Sequence, residues 1–490
     1  MLSTRQYIAV DLGAESGRVI LGTVAADKLE LEEKYRFGNG ALQEKGTLRW
    51  DFKQLFGEVC NGITETIKST QGKIAGIAVD SWGVDFGLLD GAGHLIENPY
   101  HYRDSRTNGM LEKAYQLAPK REIYSQTGIQ FMQINGLYQL LSMKLAHAES
   151  LARAKHLVMM ADLVGYHLCG EIYGEYSLLS TGQFLDMKTG QYAKVLFEKL
   201  GLPLEIMPKI VPSGTVAGKL KQELSEQFRC AQITVIAAGS HDTACAVAAV
   251  PAQAERWAYI SSGTWSLIGV EMPQAIINDK TFEHQFTNEG GVHNTIRLLK
   301  NIMGLWLVQE CRRRWHQQGR EFSYRELTQM AGAAKPFAGY VDPDYPDFLS
   351  PGDMPDKINK YLTKTNQPAT QDQAEIIRII LESLAWKYRR VLDSLEDIIG
   401  AEIDVIHIVG GGIQNELLCQ FAADATGKKV ITGPVEATAA GNIMMQAIAC
   451  GQIKSLAQGR KLIRNSFDLK EYKPQNTQAW DKQYLKISKK

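Results

Sequence analysis

An α/β architecture of two large domains, with a cleft between them, follows from three features of the chain. Short buried-strand runs alternate with helical runs along most of its 490 residues, the pattern of sheets flanked by helices. Several of those strands end in a carboxylate or a glycine turn, where open α/β sheets place their ligands. A strand, small polar turn and second strand at 7–21 are echoed in pattern at 257–268, so the chain begins again near residue 250. With 44% hydrophobic and 22% charged residues the chain can bury large cores, which excludes global disorder, collagen-like repeats and a simple coiled coil.

The elements follow in order. Residues 7–10 (YIAV) form a buried strand ending at Asp11, and 18–21 (RVIL) a second. Asp51 caps a helix whose apolar stripe is Phe52, Leu55, Phe56, Val59, Ile63 and Ile67. Residues 74–79 (IAGIAV) make a core strand that ends at Asp80. Helices are expected over 108–117, 137–149 and 161–168. A strand at 235–238 leads through Gly239 and Ser240 to His241 and Asp242, then into an Ala-rich helix that Pro251 stops. The second half opens with strands at 257–260 and 265–268 around the turn SSGT (261–264). Next come a long helix over 376–399, a strand at 405–409, the turn GGG (410–412), a helix over 414–426, a strand at 429–431 and a small-residue helix over 437–449. Pro346, Pro351, Pro355 and Pro368 make 344–373 an irregular connector, and the polar, Lys-rich last twenty residues a solvated end. The expected domains are 1–249 and 250–455, with a C-terminal extension over 456–490.

Lys plus Arg and Asp plus Glu each number 54, so the formal net charge is zero. A chain-wide basic footprint is absent, which removes the easiest support for nucleic-acid or acidic-membrane binding. Arg312, Arg313 and Arg314 read as a solvated helix face. Seven cysteines without a CxxC pair argue against a disulfide scaffold or zinc knuckle and for reduced thiols in the cytoplasm. The first residues lack the features of a secretory signal, and no run approaches ~18 apolar residues, so no membrane span is expected. No obligate protein partner is implied.

The turn DLGAESGR (11–18) joins a strand-end carboxylate to two glycines and a serine. Gly13 and Gly17 would let backbone amides approach a phosphate, and Asp11 would order a hydrated magnesium ion beside it; a tight turn with an Asx cap is the alternative. The turn matches neither the P-loop nor the Rossmann glycine pattern. With SSGT and GGG it fits a nucleotide held between two domains. Asp242 is a candidate base for an alcohol attacking phosphorus, or a cap of the helix that follows; His241 orients a substrate hydroxyl or caps a backbone group. No GxSxG elbow or HExxH motif supports serine-hydrolase or zinc chemistry. Trp82, Gly83, Asp85 and RDSR (103–106) suit a polyol, with a structural pair between Asp104 and Arg103 or Arg106 as the alternative.

Taken together, these segments resemble the FGGY family of carbohydrate kinases. The likeness is carried by VDLGAESGRV (10–19), DSWGVDF (80–86), YRDSRTNG (102–109), SHDTA (240–244), YISSGTWSL (259–267), TNEGG (287–291), LKNIMGLW (299–306), IVGGG (408–412) and GPVEA (433–437), in family order to about residue 450. The resemblance implies two actin-like, ribonuclease-H-like domains and transfer of the γ-phosphoryl group of MgATP to a sugar hydroxyl. TNEGG and LKNIMGLW point within the family to L-rhamnulose, phosphorylated at its C1 hydroxyl to L-rhamnulose 1-phosphate in L-rhamnose degradation. Another ketose or polyol, such as L-fuculose or xylulose, is the alternative.

The resemblance also implies roles for residues. Asp242 is the catalytic base. Ala14, Glu15, Ser16, Gly17, Arg18 and Thr264 contact the ATP phosphates, with Gln309 and Gly411 nearer the nucleoside. Gly83, His241, Asp242, Thr243 and Asn301 contact the sugar, and Asp11 helps hold magnesium through water. Lys68 stands where such a kinase can carry one of a pair of cysteines, so that pairing is no requirement. Glu15 stands where a small serine is common, and its carboxylate must face away from phosphate or meet magnesium. An actin-like ATPase without a sugar, and a non-catalytic sugar-binding protein, are the rival readings from other classes.

Overall fold

The computed structural model describes residues 4–70, 73–253 and 255–487. The chain forms two compact units: Met1–Ala249, Glu271–Leu298 and Ala437–Ser466 make the first, and Val250–Val270, Leu299–Glu436 and Phe467–Lys490 the second. The units divide after residue 249, but two later segments return to the first unit, so neither unit coincides with a single expected stretch.

In the first unit a six-stranded sheet runs in the order Thr215–Lys219, Thr234–Ala237, Ile74–Ser81, Arg5–Leu12, Ser16–Ala25, Lys28–Gly38. The pairs that Ile74–Ser81 makes with Arg5–Leu12 and with Thr234–Ala237 are parallel, and the remaining pairs are antiparallel. In the second unit the strands Trp265–Met272, Trp257–Ser262, Val405–Val409, Lys429–Thr432 and Glu471–Tyr472 are neighbours in that order. Here too a hairpin is followed by two parallel pairs and an antiparallel edge. The echo read from the sequence is therefore a repeat of sheet topology, and each unit is a central sheet flanked by helices.

Local chemistry explains where helices start and stop. The Asp51 side chain accepts from the Gln54 amide at 3.0 Å and opens the helix Phe52–Lys68. Its Phe52, Leu55, Val59 and Ile63 are buried on one face. The helix expected over 137–149 stops earlier, as Gly136–Leu145, because His147 takes a left-handed φ of 50° before a short helix at Glu149–Arg153. The strand Lys28–Gly38 escaped the sequence reading because its alternating charges are those of a sheet edge.

Two expectations need correction. The connector 344–373 contains a helix, Met354–Lys364, capped by Asp353. Pro355 sits in its first turn, where its missing N–H costs nothing. The last twenty residues are not simply a solvated end, although 488–490 lie outside the described residues. They include the helix Thr477–Ile487, whose Trp480 is 2% exposed and packs against Phe337, Trp386 and Phe421 at centroid distances of 5.2, 5.1 and 5.2 Å. One large aromatic side chain docks an otherwise polar helix. Trp480→Ala is expected to cost about 3–5 kcal/mol, read as a lower denaturant midpoint. An unchanged midpoint would make this helix a mere appendage.

All seven cysteines are free thiols. Among the described residues no helix is long and apolar enough to cross a membrane.

Candidate active site

Sheet register assembles an acidic centre in the first unit. Asp11 lies opposite Asp80 across the parallel pair and opposite Arg18 across the hairpin. One residue beyond Asp80, Ser81 donates its backbone N–H to the Ser240 carbonyl at 2.9 Å and bridges His241. Asp11, Asp80 and Asp242 thereby gather at one end of the sheet. Arg18 Nη2 donates to Asp11 Oδ2. Asp80 is fully buried; its Oδ2 accepts from Asn442 Nδ2 at 2.6 Å, and its Oδ1 has no hydrogen-bond partner among the described residues. Desolvation, then repulsion from Asp11, pushes the Asp80 pKa well above the carboxylate range.

Asp242 opens the helix Asp242–Ala248. Its Oδ1 accepts from the Thr243 backbone N–H and, at 3.0 Å, from Thr243 Oγ1. The side chain keeps 32% exposure. Desolvation first and Asp11 second push its pKa up to about 7. A carboxylate poised near neutrality suits general-base work.

His241 is buried beside it, with Nε2 3.3 Å from Asp242 Oδ1 and Nδ1 2.8 Å from Arg297 Nη2. Burial and then Arg297 push its pKa well below the ordinary histidine value, so the ring is neutral. Arg297 also donates through Nη2 to Glu289 Oε2 at 3.1 Å and through Nε to the Gly290 carbonyl at 2.9 Å. Behind the loop, Ser240 Oγ donates to Asp162 Oδ1 at 2.6 Å and the Ser240 amide to Glu175 Oε2 at 3.0 Å. Glu175 further accepts from the Leu178 amide at 3.1 Å and from Ser213 Oγ at 2.8 Å. Burial, then Glu175, pushes Asp162 up to about 8, which favours its neutral form beside a second buried carboxyl.

The other expected residues divide between the units. In the first, Gly13 donates its N–H to the Ser16 carbonyl at 2.9 Å, closing the turn that holds Ala14, Glu15 and Ser16; Glu15 is exposed. A Cβ on Gly17 would lie 2.2 Å from the Phe37 ring, so its lack of a side chain is required by packing on that face. Gly83 lies against Thr181, whose Oγ1 accepts from the Val84 amide at 2.9 Å. Thr243 is buried. In the second unit the Thr264 carbonyl accepts from the Gly304 and Trp306 amides at 3.0 and 3.2 Å. Gly411 is exposed, and beside it a Cβ on Gly412 would fall 2.0 Å from Ser262 Oγ. Asn301 is half-buried on the strand Ile296–Met303, and Gln309 lies on the helix Trp306–Gln317 with its Oε1 buried and without a hydrogen-bond partner among the described residues.

The polyol set is corrected in part. Asp85 is fully buried and accepts from Trp50 Nε1 at 2.7 Å, Trp82 Nε1 at 2.9 Å and Gln139 Nε2 at 2.8 Å. Trp82 packs against Trp50 with centroids 4.1 Å apart and the rings tilted by 37°. These groups satisfy one another inside the core, because an unpaired buried carboxylate is costly. Asp104 serves backbone amides, those of Leu48 at 2.7 Å and Arg106 at 3.0 Å.

Sequence reasoning missed the helix Ala437–Ala449 as part of the site. Asn442 holds Asp80, Gln446 Nε2 donates to the Ile8 carbonyl at 2.9 Å, and Gly441 meets the backbone of the helix that carries Asp242. It also assigned no role to Arg297, although one arginine inside an apolar strand is a signal.

Among the described residues no group of three or more His, Cys, Asp or Glu is placed to chelate a metal. The three mutually repelling carboxylates and the unpartnered Asp80 Oδ1 nonetheless fit a hydrated divalent cation held through water.

Residues 6–249 match the N-terminal domain, and 258–450 the C-terminal domain, of the FGGY family of carbohydrate kinases. A rhamnulokinase of Bacteroides thetaiotaomicron is 41% identical over 481 residues, 98% of either chain. One from Lactiplantibacillus plantarum is 37% identical over 477 residues, 97% of this chain and 96% of that one. Among solved structures, a ligand-bound xylulose kinase and a gluconate kinase, both from Lactobacillus acidophilus, superpose with TM-scores of 0.82 and 0.81 at 17% identity, each covering 99% of this chain and 97% of the other. At that identity the structural likeness speaks for the fold.

Proposed function

We propose, from the premise that this chain belongs to the FGGY family of carbohydrate kinases, that it phosphorylates L-rhamnulose at the C1 hydroxyl. The coarser activity is ATP-dependent phosphorylation of a sugar or polyol. The sugar assignment rests on near full-length identity of 37–41% to proteins named rhamnulokinase. In this reading the reaction yields L-rhamnulose 1-phosphate and ADP in the cytoplasm, as a step of L-rhamnose degradation.

The C1 oxygen attacks the γ-phosphorus while Asp242 accepts its proton. The bond from phosphorus to the bridging oxygen breaks, and ADP leaves with the electron pair. Asp242 Oδ1 is tied to Thr243, so Oδ2 takes the proton. Ala14, Glu15, Ser16, Gly17 and Arg18 with Thr264 serve the phosphates, through backbone amides where side chains are committed elsewhere. Gln309 and Gly411 serve the nucleoside, and Gly83, His241, Thr243 and Asn301 the sugar. Magnesium, held by Asp11 through water, supplies charge neutralisation at the phosphates when bound.

ADP release measured against L-rhamnulose, L-fuculose, xylulose, gluconate and glycerol tests the reading. L-Rhamnulose is expected to give a kcat/KM at least tenfold above the others. Preference for another ketose would replace the sugar, and ADP release indifferent to sugar would replace the reaction class. Thr264→Val, an isosteric loss of one hydroxyl, is expected to raise the KM for ATP by about 10-fold, the worth of a hydrogen bond to a charged group, with sugar affinity little changed. Equal loss of both would mean a folding defect.

A further inference from the structure

We propose that Arg297 is a positioning residue of this reaction: it fixes His241 as the Nε2–H tautomer and so directs a ring N–H at Asp242. The proposal rests on Asp242 being the base.

A guanidinium only donates hydrogen bonds. Arg297 Nη2 lies 2.8 Å from His241 Nδ1, so that nitrogen must offer a lone pair. A neutral imidazole has a single N–H, which is therefore on Nε2. Nε2 lies 3.3 Å from Asp242 Oδ1. The opposite tautomer would need Nδ1 to donate to Glu289 Oε2, which is farther away at 3.5 Å and already accepts from Arg297 at 3.1 Å. Glu289 therefore acts on the guanidinium, which the Gly290 carbonyl also holds.

Arg297 acts through His241 and not on a ligand, because its side chain is wholly shielded from solvent. The consequence falls on Asp242. Its Oδ1 faces the Thr243 N–H, the Thr243 hydroxyl and the imidazole N–H, all donors. That keeps the carboxylate oriented, with the other oxygen toward the sugar hydroxyl. A ring flipped to the Nδ1–H tautomer would set a lone pair against Oδ1 and turn the contact repulsive. The charged groups acting on Asp242 from the surrounding strands are Asp11, Asp80 and Arg297.

The test is 15N NMR of the full-length protein labelled at histidine, with the His241 signals identified by their loss in His241→Gln. Wild type is expected to show an unprotonated Nδ1 and a protonated Nε2 throughout pH 6–8. In Arg297→Met/Glu289→Gln, which leaves no buried unpaired charge, the two signals average toward mixed tautomers. In that variant kcat falls by about 10- to 100-fold, a share of the roughly 100- to 10,000-fold that general-base transfer supplies, while the KM for ATP stays within twofold. Arg297→Lys, still a donor, restores the tautomer and part of kcat. A protonated Nδ1 in wild type overturns the proposal, even if the variants do not fold. So does a double variant whose His241 signals match wild type. If the tautomer is as expected but Asp242→Asn retains turnover, the base reading fails and the positioning role with it, so the two failures are told apart.

Discussion

Asp242→Asn is expected to lower sugar phosphorylation by about 100- to 10,000-fold, the usual worth of general-base transfer, while KM values for ATP and sugar shift little. Asparagine keeps the shape and an oxygen to accept from Thr243, but it has no lone pair of sufficient basicity for the C1 proton. The same substitution is expected to stabilise the protein at alkaline pH, and the sign follows from the raised pKa. In the folded state the carboxyl titrates near 7, against a usual 3.8. The folded state therefore holds this proton more tightly than the unfolded chain does. The associated stability is fully present below about pH 4 and lost as pH rises through about 7. Asparagine suffers no such loss. At pH 8 its Tm is expected to exceed wild type by roughly 2–4 °C, the worth of about 1 kcal/mol in a domain of this size, with the difference vanishing toward pH 4. Wild-type turnover is expected to show the matching acid limb, falling as pH drops through about 7. Near-normal kcat in the variant, with sugar binding intact, would sink the base assignment. A Tm difference independent of pH would sink the raised carboxyl.

What the sequence made legible was local. Asp11 and Asp80 end apolar strands, and Asp242 follows another, so three carboxylates at one end of the sheet follow once those strands pair in parallel. The repeated hairpin at Trp257–Ser262 and Trp265–Met272 was legible for the same reason. Partners far along the chain were not. Asn442 reaches Asp80 across 362 positions and Gln446 reaches Ile8 across 438, and no periodicity encodes either meeting. Side-chain direction was equally hidden. An indole beside a carboxylate reads as a sugar grip whether the two face a ligand or, as Trp82 and Asp85 do, each other. Proline and lysine content misled where a single anchor decided: Pro355 occupies the one helical turn that tolerates it, and Trp480 outweighs its polar neighbours.

Gly441→Ala is expected to disrupt both fold and turnover, though residue 441 touches neither sugar nor nucleotide in the proposed site. A Cβ at 441 would lie 1.8 Å from the Cys245 carbonyl oxygen, 2.6 Å from its carbon and 3.0 Å from its Cα. These are backbone atoms inside the helix Asp242–Ala248, and the Cys245 carbonyl already accepts from the Ala249 amide at 3.1 Å. No side chain can rotate away, so the two helices must separate by more than an ångström. Overpacking costs about 1–3 kcal/mol where side chains can yield; with backbone against backbone the upper end applies, a Tm loss of roughly 6–12 °C. The displaced helix begins at Asp242, and Asn442, the next residue on the other helix, holds Asp80. A misplacement of about 1 Å at reacting groups costs about 100-fold in rate, so kcat should fall at temperatures where the variant is still folded. Gly57→Ala supplies the contrast. That glycine is exposed on the helix Phe52–Lys68 with nothing within 4 Å of a new Cβ, and alanine there should stabilise by about 0.5–1 kcal/mol. If Gly441→Ala matched Gly57→Ala in Tm and kcat, the close helix contact would not be what holds Asp242 in place.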